Sequence, residues 1–423
     1  MSELYETEQK AERLLLVGVA TDSADNVEES LDELEELSRT AGGEVVCRVI
    51  QNRESIHPGT YVGKGKLDEI RELIYEFNID TVVCDDELSP AQIRNLEEEL
   101  EVKVIDRTVM ILDIFAMRAG TSEGKIQVEL AQQKYRLTRL VGLGRSLSRL
   151  GGGIGTRGPG EKKLEVDRRV IRDRISILND RLDEVKRTRD VSRKKRSESH
   201  IPHVAIVGYT NAGKSTLLNT LTGAGVFEED LLFATLDPTT RVYQYENGQQ
   251  VLFTDTIGFI NKLPHHLIDA FRSTLEEAKY ADIILHVVDI SNPTHDKQME
   301  VVYDTLGRLG INDKPVITVF NKIDKLEVPG ADDGSAIRPL PEIIEGGDIR
   351  SRKTIRISAK NRIGLDKMLS AIAEVIDDSM NYIEEVIPYS EAGKLQDIRK
   401  YGQLLHEEYT ENGIYIKARV PKK

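Results

Sequence analysis

An α/β architecture is predicted from three features of the chain. Strand-length apolar runs alternate with helical stretches, one such run feeds a glycine-rich loop, and a basic, heptad-patterned segment interrupts the alternation. The expected order is an N-terminal α/β domain with a parallel sheet over residues 1–120 and a long antiparallel helical hairpin over 121–198. A second α/β domain built on the glycine-rich loop follows over 199–379, then a small α+β domain over 380–423.

In the N-terminal domain, apolar runs at 14–20, 44–50, 81–84 and 102–105 read as strands, with helices between them at about 26–40, 64–78 and 89–100. Ser89-Pro90 pairs an N-cap residue with proline at the first helical position, where its missing N–H costs nothing. Strands that alternate with helices imply a parallel sheet. The turn Val62-Gly63-Lys64-Gly65-Lys66 leads into a helix. A phosphate contact is conceivable there, but a lone glycine/lysine turn is more often only a turn.

The hairpin is read from spacing and charge. Ile126, Leu130, Gln133, Leu137 and Leu140 follow a 4-3-4-3 spacing, and Leu164, Ile171, Leu178 and Val185 recur every seven residues, with Ile175 and Leu182 between them. Each segment needs a partner helix, and the other is its nearest candidate. Residues 142–160 between them hold eight glycines together with Arg145, Arg149 and Arg157. Residues 134–200 carry 20 Lys/Arg against 9 Asp/Glu, a net +11 inside a chain of net −14, so the remainder carries −25. A local polyanion contact follows. Arginine beside bare glycine backbone suits phosphates and stacked bases, and a loop of solvated arginines is the competing reading. Gly153-Ile154-Gly155-Thr156-Arg157-Gly158 also fits G-x-G-x-x-G, but no strand precedes it, so a dinucleotide site is excluded.

Residues 208–215 carry the chemistry: Gly208, Tyr209, Thr210, Asn211, Ala212, Gly213, Lys214 and Ser215 follow the apolar run His203-Val204-Ala205-Ile206-Val207. In a G-x-x-x-x-G-K-[ST] loop, backbone N–H groups cradle α/β-phosphates, the lysine reaches the β/γ-phosphates and the hydroxyl serves Mg²⁺. Asp255-Thr256-Ile257-Gly258 follows a second strand; its carboxylate suits the Mg²⁺ shell through water, and its glycine amide suits the γ-phosphate. Asn321-Lys322-Ile323-Asp324 follows a third strand, and the Asp324 carboxylate matches the paired donors of guanine, which adenine lacks. Ser358-Ala359-Lys360 follows a fourth, with a backbone amide for the guanine carbonyl. In order within about 150 residues, these stretches specify a guanine-nucleotide hydrolase domain.

Between the loop and Asp255, the run Phe233-Ala234-Thr235-Leu236-Asp237 offers a switch threonine, with Thr235 preferred over Thr239 and Thr240 as the second Mg²⁺ hydroxyl. The position after Gly258, where many GTPases carry a water-orienting glutamine, is Phe259. Hydrolysis is therefore expected to be slow alone. The expected catalytic set is Lys214, Thr235, Gly258 and Asn211. Asn211 either helps hold a K⁺ beside the β/γ-phosphates or merely shapes the loop.

The two cysteines, Cys47 and Cys84, lie in apolar runs without C-x-x-C spacing and read as buried small hydrophobes in a reducing, cytoplasmic protein. No apolar run approaches the ~20 residues of a membrane span. Residues 383–388 and 413–420 are expected as strands around a helix at about 390–407, and 330–347 as a Pro/Gly/Asp-rich insertion without assignable chemistry.

Several longer stretches carry a closer likeness. They are Asp106-Arg107-Thr108, Ile111-Leu112-Asp113-Ile114-Phe115-Ala116, and Glu123-Gly124-Lys125-Ile126-Gln127-Val128-Glu129-Leu130-Ala131-Gln132. Gly152-Gly153-Ile154-Gly155-Thr156-Arg157-Gly158-Pro159-Gly160-Glu161 and the Phe233–Asp237 run complete the set. On these, the chain resembles the HflX family of ribosome-associated GTPases, related to the Obg group, over essentially residues 12–423. The resemblance implies a monomer that binds the large ribosomal subunit, with the hairpin tip reaching ribosomal RNA. It further implies GTP hydrolysis with Mg²⁺ and action on stalled or idle ribosomes, including subunit separation. Some members are also credited with ATP-driven RNA remodelling through the N-terminal domain, which leaves an ATP-dependent remodeller with a regulatory G domain as the alternative.

Overall fold

The structure, a computed structural model, describes residues 11–21, 26–147, 159–198, 201–223, 232–233, 235–264, 267, 277–311, 313–326 and 348–421. The chain divides into two compact units. The first comprises residues up to Glu184 together with Asn261–Phe271, and the second comprises Val185–Ile260 and Arg272–Lys423.

The first unit is built on a four-stranded parallel sheet of order β2-β1-β3-β4: β1 (Arg13–Ala20), β2 (Glu44–Asn52), β3 (Thr81–Cys84) and β4 (Lys103–Asp106). Leu14 to Val19 of β1 are buried without alternation, the pattern of a parallel strand covered on both faces. Helices α1 (Val27–Thr40), α2 (Lys64–Phe77) and α3 (Pro90–Leu100) connect the strands. A capping box of Ser89 and Gln92 opens α3 with Pro90 in its first turn, and such a cap is worth about 1 kcal/mol. Leu15, Val17, Ile70, Val82, Cys84 and Leu96 share one core.

Helix α4 (Arg107–Arg118) follows β4 directly and was not resolved from the sequence pattern. Its cause is local: Asp106 accepts from the Val109 amide (3.1 Å), and Met110, Ile111, Ile114 and Phe115 bury one face. Asp106, fully buried, also accepts from Tyr135 Oη (2.8 Å), Arg139 (3.0 Å) and the Leu88 amide (3.1 Å). One carboxylate thereby ties the start of α4 to the middle of the next helix.

That helix is α5 (Ser122–Leu147), and α6 (Pro159–Glu198) returns beside it, its residues up to Glu184 lying in this unit. Ile126 and Leu130 pack with Ile175, Leu178 and Leu182. Ten residues farther out on α5, the Leu140 carbonyl accepts from Arg168, ten residues back on α6, so the pair is antiparallel. Arg145 lies within the span of α5, whereas Arg149 and Arg157 fall outside the described residues.

The second unit contains a six-stranded sheet of order β10-β9-β8-β5-β7-β6, parallel except for the edge pair β6–β7. The strands are β5 (His203–Gly208), β6 (Thr239–Gln244), β7 (Gln250–Asp255), β8 (Ile283–Asp289), β9 (Val316–Asn321) and β10 (Lys353–Arg356). Helix α7 (Lys214–Thr222) follows β5, and its Leu217 and Leu218 join Val204, Ile206, Phe253, Leu285 and Val319 in the core. Parallel strands gather their carboxyl ends on one edge, so the turns after β5, β7 and β9 meet there.

The same unit ends in an antiparallel sheet, β11-β13-β12, with β11 (Met380–Ile387), β12 (Gln403–Thr410) and β13 (Gly413–Pro421), packed on the helix Gly393–Tyr401. The helix expected to run to about 407 is therefore corrected: it stops at Tyr401. A Cβ on Gly402 would lie 2.4 Å from the Arg419 carbonyl, so the chain there runs tight against β13. Glu411-Asn412 then makes the two-residue hairpin turn that pairs β12 with β13. The insertion expected at 330–347 lies outside the described residues.

Candidate active site

The loop after β5 turns sharply into α7. Gly213 adopts φ +91°, and a Cβ there would come within 2.4 Å of Asn321 Nδ2, so only glycine lets the loop pass Asn321. Lys214 is 7% exposed, and its ammonium folds back to donate to the Tyr209 carbonyl (2.7 Å). Burial drives its pKa down to about 8, opposed by the charge of Asp255. Asp255, at the end of β7, is pushed upward by burial, with Lys214 and its hydroxyl partners pulling the other way.

Three oxygen-bearing side chains converge here. Ser215 Oγ donates to Asp255 Oδ2 (2.7 Å), Thr235 Oγ1 donates to the same oxygen (2.9 Å), and the two hydroxyls lie 2.8 Å apart. Phe233 and Leu236, on either side of Thr235 in the sequence, are buried; Ala234 lies outside the described residues. Of the competing threonines, Thr239 and Thr240 belong to β6, where Thr240 pairs its hydroxyl with Thr254 (2.7 Å). Asp255 Oδ1 is buried with no hydrogen-bond partner among the described residues. A purely oxygen donor set with an orphaned carboxylate oxygen fits a hard divalent cation such as Mg²⁺.

The Asp-x-x-Gly turn lies on the phosphate loop. Phe259 N–H donates to the Gly208 carbonyl (3.1 Å), and Thr210 N–H donates to the Phe259 carbonyl (2.7 Å). Gly258 is therefore pressed against the loop: a Cβ there would meet Thr210 Cγ2 at 2.7 Å and Lys214 Nζ at 3.1 Å. Thr256 Oγ1 donates to the Ile206 carbonyl (2.8 Å), tying the end of β7 to β5, and Ile257 is buried beside it. The Phe259 ring is 2% exposed and offers water nothing to bond.

On the far side, Asn321 is a brace, a role its place in the Asn321–Asp324 stretch does not signal. Its Nδ2 donates to the Ala212 carbonyl (2.9 Å), and its Oδ1 accepts from the Ala359 amide (2.9 Å). It thus joins the phosphate loop to the Ser-Ala-Lys segment, a link across 109 residues in one direction and 38 in the other that no local motif signals. Lys322 donates to Asp289 (2.6 Å), and Ile323 and Asp324 begin a short turn after β9. Ser358 Oγ donates to Asp324 Oδ1 (2.5 Å). Asp324 is exposed in that short turn at the sheet edge, so a stacked base would have to cover it. Lys360 is exposed beside it, while Asn211 stands in the phosphate loop with left-handed backbone, φ +59°. Asp237 lies just before β6.

Comparison with known proteins follows the same division. Residues 28–116 match the family described as GTP-binding GTPase N-terminal, 118–196 the GTP-binding GTPase middle region, and 203–322 the 50S ribosome-binding GTPase family. The GTPase HflX of Lacrimispora saccharolytica is 61% identical over 421 residues, covering 100% of this chain and 96% of the relative. The GTPase HflX of Caldanaerobacter subterraneus is 49% identical over 99% of this chain and 93% of its own length. That of Escherichia coli is 39% identical over 93% and 90%. With identity of this size along the whole chain, and with the turns that carry Lys214, Asp255 and Asn321 gathered on one sheet edge, the protein belongs to the HflX family of GTPases.

Proposed function

We propose that this GTPase works on the large ribosomal subunit, hydrolysing GTP slowly alone and faster when bound there, and that it acts on stalled or idle ribosomes by separating their subunits. The match of residues 203–322 to the 50S ribosome-binding GTPase family carries the reading, and the +11 charge of residues 134–200 supports it. In this reading the parts are those read from the sequence: an α/β domain to residue 120, the hairpin to 198, the G domain to 379 and the small domain after it. Arg145, Arg149 and Arg157 are the RNA contacts.

Each side chain has a task set by its position. Lys214 meets the β/γ-phosphates with its ammonium, and the buried strand edge keeps that charge unscreened. Ser215, Thr235 and Asp255 are the residues that would hold Mg²⁺, Asp255 through water, and the cation would supply charge to offset that on the phosphate oxygens. The Gly258 amide approaches the γ-phosphate because no Cβ stands in the way. Asp324 accepts from guanine, and Asn321 keeps the base and phosphate halves in register. What the set lacks is a group that orients water, since Phe259 is apolar and buried. We assign that deficit to the ribosome, with a K⁺ at Asn211 as the second contributor. Turnover in KCl above that in NaCl at equal ionic strength supports the ion, and equal rates remove it.

Sedimentation with purified large subunits tests the partner. Co-sedimentation with a non-hydrolysable GTP analogue and weaker association with GDP are expected. Binding that ignores the nucleotide would sink the ribosome-switch reading.

A further inference from the structure

Four residues beyond Gly258, Lys262 takes a left-handed backbone conformation, φ +53°, in which non-glycine residues are strained. It groups with the first compact unit. Its ammonium donates to Asp85 Oδ2 (2.5 Å) and Asp86 Oδ1 (2.8 Å), the two carboxylates that follow β3. Asp85 is 1% exposed and also accepts from Arg107 (2.8 Å) and Ser30 Oγ (2.7 Å). Arg107 is shared with Glu33, so it does not neutralise the acidic pair by itself. Asp86 accepts on its other oxygen from Tyr61 Oη (2.6 Å), and Tyr61 is itself fully buried at φ +65°. Two strained residues thus converge on one carboxylate. Strain of this kind persists only where surrounding contacts enforce it, and it collects at sites that switch.

Covalent continuity gives the arrangement its meaning. Phe259 is bonded in both directions to the phosphate loop, and Lys262 comes three residues later, at most about 10 Å of extended chain. A shift of Gly258 when the γ-phosphate is lost has only Phe259, Ile260 and Asn261 to absorb it before it reaches Lys262. The Thr235 hydroxyl is closed onto Ser215 and Asp255 in the same structure that seats Lys262 on the acidic pair. We propose that Lys262 is a positioning residue through which the N-terminal α/β unit reads the nucleotide: seated on Asp85 and Asp86 with triphosphate bound, and loosened after hydrolysis. The proposal rests on the GTPase reading and adds a route from the nucleotide to a unit that holds none of the phosphate-loop residues.

Hydrogen exchange of the full-length protein with a non-hydrolysable GTP analogue and with GDP tests it. Peptides covering residues 84–88 are expected to exchange several-fold more slowly with the analogue, in parallel with the peptide carrying Thr235. Lys262→Gln should abolish the nucleotide response at 84–88 while the Thr235 peptide keeps its own, and Lys262→Arg should restore it. A Thr235 response without one at 84–88 in the unaltered protein overturns the proposal, whether or not the variants fold. So does a Lys262→Gln protein that still responds at 84–88. Absence of both responses overturns the nucleotide reading itself, which is a different failure.

Discussion

The turns into α7 and α2 both place glycine and lysine at the start of a helix, and of the two only the first is built for phosphate. At α7, Lys214 is buried, Gly213 needs its left-handed φ, and an orphaned carboxylate oxygen and two hydroxyls stand nearby. At α2, Lys64 is exposed, Lys66 is paired with Glu69 (2.7 Å), and the Gly63 amide already donates to the Gln51 side chain (2.8 Å). Gly63 sits at φ −76°, where any residue is at ease. A helix N-terminus and a lysine are therefore not enough. What separates the two is the buried carboxylate oxygen left without a bond at the α7 turn, at a cost of about 1–3 kcal/mol.

The comparison breaks most sharply by removing each lysine in turn. Lys214→Ala should lower GTP turnover by about 10²–10³-fold, the loss found when one preorganised donor to a developing charge is deleted. Lys64→Ala should leave turnover unchanged. Steady-state GTP hydrolysis of both variants reads the contrast, and a loss from Lys64→Ala would make the α2 turn a second phosphate site.

Acid should separate the sheets next. His286 on β8, paired in register with Val207 just before the loop, is fully buried and held down to about pKa 4 by that burial, with Asp348 opposing. Below pH 6.5 the unfolded chain takes up a proton that the folded one refuses, so the stabilisation present above pH 6.5 is lost as the pH falls towards 4. The second unit should lose about 2 kcal/mol between pH 7 and pH 5 from this group. His286→Phe, which keeps the edge-on packing with Tyr303, should flatten the pH dependence of the urea midpoint by that amount. An unchanged pH dependence would assign the acid sensitivity elsewhere.

The smallest effect has the opposite sign at the two turns. Nothing lies within 4 Å of a Cβ on Gly65 in α2, so Gly65→Ala should stabilise the protein by about 0.5–1 kcal/mol. Gly213→Ala should destabilise it and weaken nucleotide binding, because its φ and Asn321 leave no room for a methyl group. Thermal melts of the two variants should move in opposite directions.

The site was legible in the sequence where its chemistry is contiguous. Gly208 to Ser215, Asp255 to Gly258 and Asn321 to Asp324 each encode a strand end, a turn and a polar group within a few residues, and sheet topology then brings them to one edge. Thr235 was readable because a second hydroxyl must face Ser215, which it does at 2.8 Å. The Asn321 brace and the Lys262 pairing were not readable. Their partners lie 109 and 177 residues away, and nothing in local periodicity records which distant carbonyl or carboxylate a side chain will meet. In the fold, α4 was missed because β4 runs into it without a break, and β12 was absorbed into a helix because its Leu404, Leu405 and Glu407 suit either period.

In the function proposed above, the nucleotide site has Phe259 where water needs orienting, and the large subunit supplies the missing part. GTP turnover with and without purified large subunits tests it most directly. Slow hydrolysis alone, a marked rise with subunits, and loss of that rise when Arg145, Arg149 and Arg157 are all replaced by alanine, most visibly at raised salt, is the predicted result. Turnover that is indifferent to large subunits would contradict it.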